Sequence, residues 1–182
     1  MKDSKKAHIA VCVGTHNRPD SLANTLQSLI KLEVPNDTDI SVIVIDNNRV
    51  ETSEQVVLGL KQRSKFNLLY IHEEEIGIVH MRKRALTEAS HIGATHLAFI
   101  DDDEIASTDW IKELYDALIR YEAQVVQGTT ERVLPEGTPN WLVKSNILQL
   151  KRHSTGQIRT SAGTRNVLFD LRFINQHNLR FN

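Results

Sequence analysis

Four consecutive acidic residues, Asp101 to Glu104, directly follow the apolar run 96–100. That run predicts a buried strand, and the carboxyl ends of strands are where open α/β sheets bind ligands. Crowded carboxylates repel one another and resist desolvation, so they often gather around a cation. An extended backbone would point Asp101 and Asp103 to one side, and two hard oxygen ligands suit Mg²⁺ or Mn²⁺. The alternative is a solvated acidic turn before a helix that starts near Ser107.

Polar residues also follow the first predicted strand, in the segment Gly14-Thr15-His16-Asn17-Arg18-Pro19. It contains one glycine and then bulky side chains, so it is neither a dinucleotide-binding turn nor a P-loop. A phosphorylated ligand would therefore need its charge neutralised in another way, for example by a metal ion at the acidic residues.

Two further positions could bind a ligand. Asp46 follows the second predicted strand, where a carboxylate either accepts hydrogen bonds from a base or sugar or is an ordinary polar turn residue. Arg82, Lys83 and Arg84 share one helical turn, which is either a solvated face or a diphosphate contact. The histidines lack the spacing of a zinc site.

Strand and helix patterns alternate over the first 130 residues. Apolar, β-branched runs predict strands at residues 8–13, 40–45, 67–71, 95–100 and 124–127. Helical spacing between them predicts four helices, the first with Pro19 in its opening turn and the fourth capped by Ser107 or Thr108. A sixth strand at 166–169 precedes a helix capped by Asp170. This alternation implies parallel pairing and an open α/β sandwich.

Composition excludes several classes of protein. A length of 182 residues fits one domain, and a net charge of −1 with scattered basic residues indicates no nucleic-acid partner. The single cysteine, Cys12, excludes a disulfide scaffold and fits a reducing compartment. No apolar run is long enough to cross a bilayer, and the polar start is unlike a signal peptide. We expect a cytoplasmic protein, with peripheral association at the inner face of the membrane left open.

Taken in order, these segments resemble family 2 glycosyltransferases with the GT-A fold. Residues 11–19 are similar to the nucleotide-contacting opening of that family, 42–48 to its second strand with a uridine-contacting aspartate, 77–85 to its third helix, and 97–104 to its metal-binding DxD element. Residues 125–128 and 163–169 resemble acceptor-side segments of bacterial members that build surface polysaccharides.

The resemblance implies a three-layer GT-A sandwich with a mostly parallel central sheet. Residues 1–130 would form its nucleotide-sugar-binding half and 131–182 the start of an acceptor-side half. The implied reaction transfers a sugar, with inversion, from a nucleoside-diphosphate donor to a glycan or lipid-linked acceptor. UDP is the carrier that the resemblance favours, while GDP or dTDP would also fit.

The resemblance also implies roles for particular residues. Asp101 and Asp103 would hold Mn²⁺ or Mg²⁺, and Asp102 would contact the ribose or a metal-bound water. The remaining nucleotide-sugar contacts would come from Thr15, Asn17, Arg18, Asp46 and Arg82, with Arg82 at the base or diphosphate.

The general base is the missing part. Family members usually carry an acidic pair beyond the segment that resembles 163–169, and this sequence stops at Asn182 before one. We therefore expect the N-terminal part of a longer enzyme, which binds the donor without efficient transfer; Glu131 and Glu136 are the alternative bases. A non-catalytic nucleotide-sugar-binding module is the second reading. A nucleotidyltransferase is the third, and it would need a glycine-rich phosphate loop that residues 14–19 lack.

Overall fold

A computed structural model describes residues 6–50, 53–145 and 153–182. Within them the chain forms, in order, β1 (Ala7–Thr15), α1 (Pro19–Leu29), β2 (Thr38–Asp46), α2 (Glu54–Lys61), β3 (Asn67–His72), α3 (Ile78–His91), β4 (His96–Asp101), α4 (Trp110–Arg120), β5 (Val125–Gln127), α5 (Asn140–Val143), β6 (Val167–Asp170) and α6 (Leu171–Gln176). Each strand predicted from the sequence is present, with bounds shifted by one or two residues.

The strands form one sheet in the order β3-β2-β1-β4-β6-β5. β1 pairs in parallel with both β2 and β4, and β2 pairs in parallel with β3. β6 is antiparallel to β4 and to β5. The predicted α/β fold with a mostly parallel sheet is confirmed. The chain changes direction across the sheet at β1, and this is the kind of point where open α/β sheets bind ligands.

Side chains that alternate along the strands supply two cores, one on each face of the sheet. On one face, buried Val11, Val42 and Ile100 belong to the core that contains Leu26 of α1 and Leu118 of α4. On the other face, the core contains Cys12, Ile43, Leu97 and Phe99 with Ala85 and Ala89 of α3. Cys12 is fully buried, and burial raises the pKa of its thiol, so it is the inert packing residue that the sequence predicted.

Gly14 lets α3 approach β1 closely. A Cβ at this position would overlap the Sδ and Cε atoms of Met81. Gly14 thus leaves room for the Met81 side chain of α3 against β1, and Arg82 is the next residue of that helix.

The two predicted caps had different outcomes. Asp170 caps α6, since its side chain accepts a 2.8 Å hydrogen bond from the Arg172 backbone N–H. The predicted cap of α4 at Ser107 or Thr108 is wrong. That helix begins after Asp109, whose side chain makes no capping bond, because a tight turn in which Trp110 N donates to the Ser107 carbonyl delays the helix. None of the described helices combines the length and apolarity needed to cross a membrane.

Candidate functional site

The acidic turn, Asp101 to Glu104, begins where β4 ends. The backbone N–H of Glu104 donates back to the Asp101 carbonyl at 3.2 Å, so the chain reverses there and is not extended. The geometric argument that an extended backbone points Asp101 and Asp103 to one side is therefore wrong. The two carboxylates are still close enough to interact: burial raises the pKa of Asp101, and the charge of Asp103 raises it further.

Asp102 is the most enclosed residue of the acidic turn, with 5% of its surface exposed. The hydroxyl of Thr15, at the end of β1, donates to Asp102 Oδ2 at 2.7 Å. Arg18 Nη1 lies 3.3 Å from Asp102 Oδ1 and 3.1 Å from Asp103 Oδ2, so one guanidinium joins two carboxylates. In this conformation Thr15, Asp102 and Arg18 form a polar bridge between β1 and β4, and Thr15 and Asp102 are largely shielded from solvent.

Thr25 holds the backbone of the acidic turn from α1. Its fully buried hydroxyl lies 2.9 Å from the Asp102 carbonyl and 2.8 Å from the Glu104 carbonyl. The role of Thr25 was not predicted from the sequence, because this residue lies one position before Leu26 in an otherwise ordinary amphipathic helix. The available signal was a threonine next to the apolar stripe of that helix.

Asp46 lies at the end of β2, next to Thr15 in the sheet register, as expected from neighbouring strands. Its carboxylate is fully buried and accepts hydrogen bonds from Asn48 Nδ2 at 2.6 Å, the Ser53 backbone N–H at 2.9 Å and the Tyr70 hydroxyl at 2.9 Å. Asp46 thus closes the connection between β2 and α2. A contact to a nucleoside stays a prediction, and it would require these internal bonds to be exchanged.

Asn47 organises the loop that leads into α3. Its amide nitrogen donates to the Glu73 carbonyl at 3.0 Å and the Glu75 carbonyl at 2.7 Å, while its amide oxygen accepts from Gly77 N at 2.8 Å. Gly77 has φ +137°, a conformation that favours glycine. This network fixes the start of α3 relative to β2.

Arg82 reaches the acidic turn from α3. Burial lowers the pKa of its guanidinium, and the charge of Asp101 acts in the opposite direction. Its Nε–H is buried and has no hydrogen-bond partner in the part of the chain that the structure describes. Burying an N–H donor without a hydrogen-bond acceptor costs free energy. The Arg82 side chain is therefore suited to bind an anion, which would accept this hydrogen bond.

Arg165 is the third arginine that acts on the acidic turn, and it was not among the residues predicted from the sequence. Its charge opposes the rise in the pKa of Asp101 and of Glu104, which burial raises. β6 runs antiparallel to β4 with Val167 opposite Phe99, so residues just before Val167 lie beside those just after Phe99. Sequence order alone does not reveal that register.

An open cleft of about 370 Å³ lies among the loops that follow β1, β2 and β3. Its lining residues are His16, Asn17, Asn48, Arg49, Val50 and Ile76. Asn17, exposed and with φ +54°, is the predicted nucleotide contact that faces this cleft. The volume falls within the range of small-molecule sites. In the described part of the chain, there is no group of three or more His, Cys, Asp or Glu side chains that could hold a metal ion.

Residues 10–179 match the model of glycosyl transferase family 2. The chain belongs to this family. Among curated family relatives, the succinoglycan biosynthesis protein ExoM of Rhizobium meliloti is 33% identical over 159 residues, which are 84% of this chain and 48% of ExoM. The glycosyltransferase GlyA of Streptococcus pneumoniae is 24% identical over 120 residues, which are 66% of this chain and 16% of GlyA. The chain thus spans about half the length of ExoM and less of GlyA.

Solved structures place this family member in the GT-A fold, as predicted. S. aureus TarS 1–349 matches with a TM-score of 0.71 at 18% identity, over 96% of this chain and 50% of that one. The same TarS region in complex with UDP matches equally, with a TM-score of 0.71 at 19% identity and the same coverage. The mannosyltransferase PcManGT of Pyrobaculum calidifontis, in complex with GDP-Man and Mn²⁺, has a TM-score of 0.59 at 19% identity over 68% of this chain and 35% of its own. At these identities the likeness concerns the fold alone.

Proposed function

We propose that this chain binds a nucleoside-diphosphate sugar at the carboxyl edge of β1, β2 and β4, as the donor site of an inverting glycosyltransferase. One observation carries the proposal. Arg18, Arg82 and Arg165 act on the acidic turn at the point where the sheet order reverses, in a chain that belongs to glycosyl transferase family 2. Cations and carboxylates gathered at one edge suit a diphosphate bound together with a metal ion.

UDP is the nucleotide we propose for the donor. The TarS structures were determined with UDP and with UDP-GlcNAc, which supports a uridine carrier for this fold, although PcManGT was determined with GDP-Man. The cleft beside Asn17 is the place we assign to the nucleoside. ExoM is named for succinoglycan biosynthesis, and this supports a glycan or lipid-linked glycan as the acceptor.

Asp101 and Asp103 would hold the divalent cation, Mn²⁺ or Mg²⁺. Their oxygens are hard ligands. Burial raises the pKa of Asp101 and repulsion from Asp103 raises it further, and a positive ion would offset both effects. Two carboxylates leave most positions open, as expected for an ion that shares its coordination with water and a diphosphate. When bound, such an ion neutralises the negative charge that develops on the leaving diphosphate.

The other side chains of the site bind the diphosphate or hold the acidic turn. Arg82 offers its unpartnered Nε–H to a phosphate oxygen, and Arg18 releases Asp103 if that carboxylate turns to the ion. Thr15 and Thr25 keep the acidic turn in place. An inverting displacement also needs a general base opposite the leaving group. Asp170 is engaged by Arg172, whereas Glu131 and Glu136 are exposed and stay the candidate bases.

The decisive experiment is a calorimetric titration of UDP into the purified chain with and without Mn²⁺. We expect binding that strengthens with Mn²⁺ and that loses this dependence in Asp103→Ala. The matched control is Asp116→Asn, which removes an exposed carboxylate of α4 that pairs with Lys112. If UDP does not bind under either condition, or if Asp103→Ala behaves like the control, the proposed donor site is wrong.

A further inference from the structure

Phe181 lies after α6 and packs back onto the sheet. Its ring centroid is 5.9 Å from that of Phe99 in β4 and 6.5 Å from that of Phe169 in β6, and both pairs meet nearly at right angles. Edge-to-face contacts of this kind fix the orientation of a ring as well as its position. Phe181 is therefore anchored on two strands although it stands next to the end of the described chain.

The open face of the Phe181 ring meets Arg82. The Arg82 Cζ atom lies 5.9 Å from the ring centroid, within the range of a cation–π contact. Phe99 and Asp101 are two residues apart on β4, so they point to the same face of the sheet. The ring that rests on Phe99 thus stands beside the carboxylate that attracts the Arg82 guanidinium.

Apart from the attraction of Asp101, Phe181 is the contact that restrains the Arg82 side chain among the described residues. Its Nε–H has no hydrogen-bond partner within the described residues. A long arginine side chain that makes no hydrogen bond loses conformational entropy when it binds a ligand. Stacking on an aromatic ring restricts the side chain before binding, so less entropy is lost when the ligand binds. The contact with Phe181 thus restrains the guanidinium before any ligand arrives.

We propose that Phe181 is a positioning residue for the donor site, which holds the Arg82 guanidinium at the carboxyl end of β4 with its Nε–H ready for a diphosphate oxygen. This inference rests on the proposed function. The match to glycosyl transferase family 2 ends at residue 179, two residues before Phe181.

The test is the affinity for UDP in the presence of Mn²⁺, measured in a double-mutant cycle. Phe181→Leu should weaken binding about 3- to 10-fold, the size of a partly shielded cation–π contact. In an Arg82→Met background, which has neither a cation nor a planar group to place on the ring, the same change should have little effect. Phe181→Tyr keeps the aromatic face and should restore the affinity. Phe173→Leu, which removes another aromatic ring of α6, is the control and should leave it unchanged.

A ligand-free readout accompanies the cycle. Hydrogen exchange of the Arg82 Nε–H, followed by NMR, should be slow in the wild type and in Phe181→Tyr and fast in Phe181→Leu. Equal losses of affinity in the wild-type and Arg82→Met backgrounds would overturn the inference while leaving the donor site intact. The same holds if the exchange rate of the Arg82 Nε–H is unchanged in Phe181→Leu. Failure of the wild type itself to bind UDP would overturn the proposed function, and the role of Phe181 in it.

Discussion

Two side-chain nitrogens, Arg82 Nε and His96 Nε2, are buried without a hydrogen-bond partner in the described part of the chain. Arg82 stands at the ligand edge of the sheet, where an anion can satisfy its donor. His96 begins β4 at the other edge, is 3% exposed, and meets the Tyr115 ring edge to face. Burial lowers the pKa of His96, while Asp170 raises it and Arg172 lowers it. The imidazole is thus held in its neutral form by its surroundings.

This residue predicts a loss of stability in mild acid. A histidine whose folded pKa is below its unfolded value binds its proton more readily in the unfolded chain, so stability falls as pH drops from about 6.5 towards the folded value. His96→Phe keeps a ring against Tyr115 and should reduce the slope of the unfolding free energy against pH by up to about 1.4 kcal/mol per pH unit. Urea unfolding at several pH values measures it.

The control for this prediction is Ser90→Ala, which changes an exposed residue near the end of α3 that does not titrate. It should keep the wild-type slope. If the slope of the unfolding free energy against pH is the same in His96→Phe as in the wild type, His96 binds its proton equally well in the folded and unfolded chains, and the prediction is wrong.

At the scale of helices and strands, one residue, Asn166, links α4, β5 and β6. Asn166 Oδ1 accepts from the Trp110 indole N–H at 2.8 Å, and Asn166 Nδ2 donates to the Thr129 carbonyl at 2.7 Å. The Gly128 backbone N–H donates to the Asn166 carbonyl at 2.9 Å, and a Cβ on Gly128 would overlap the Asn166 amide. Asn166 thus ties the start of α4 and the end of β5 to the start of β6, and it holds its neighbour Arg165 beside the acidic turn.

Two substitutions separate the hydrogen bonds of Asn166 from its backbone conformation. Asn166 has φ +47°, which glycine adopts freely and alanine does not. Asn166→Gly should lower the free energy of unfolding by about 1–3 kcal/mol through the lost side-chain bonds alone. Asn166→Ala should cost roughly 1 kcal/mol more, because the left-handed conformation is strained for it. Denaturant titration measures both, and equal stability of the two variants would contradict the assigned role of the backbone.

At the scale of the whole molecule, the sheet brings together residues that are far apart in sequence. Thr15, Asp46 and Asp101 end three neighbouring parallel strands. Arg165 lies just before β6, the strand that pairs antiparallel with β4. Strand order thus assembles the donor edge, and the described residues after β5 add Arg165 and Phe181 to it.

This arrangement predicts that donor binding and sugar transfer are separable. We expect the chain to bind UDP while transferring sugar from a UDP-sugar to a glycan acceptor only slowly, since the donor edge, as assigned to the described residues, includes no general base; such a base is typically worth about 10²–10⁴ in rate. Product formation followed by mass spectrometry measures transfer. Rapid transfer that is lost in Glu131→Gln or Glu136→Gln would contradict this expectation and assign the base to that residue.

Much of the fold follows from local pattern. Apolar β-branched runs alternating with helical spacing predict the six described strands, because a buried strand and an amphipathic helix each need their own periodicity. The family was also accessible, since residues 11–19, 42–48, 77–85 and 97–104 occur in the order of glycosyl transferase family 2. Adjacent placement of Asp46 and Asp101 beside β1 follows from parallel strand ends meeting at one edge.

The tertiary structure alone decided how these groups are used. The reversal at Glu104 separates Asp102, bonded to Thr15 and Arg18, from Asp101, which faces Arg82 and Arg165. Asp46 is enclosed by Tyr70 and the start of α2, and Phe181 returns to Arg82. Except for the bond between Asp46 and Ser53, these contacts join residues that are far apart in the sequence. Their geometry depends on strand register, on a local turn and on packing against a second layer. Periodicity carries none of that information, because it reports which face a residue occupies and not which distant residue it meets there.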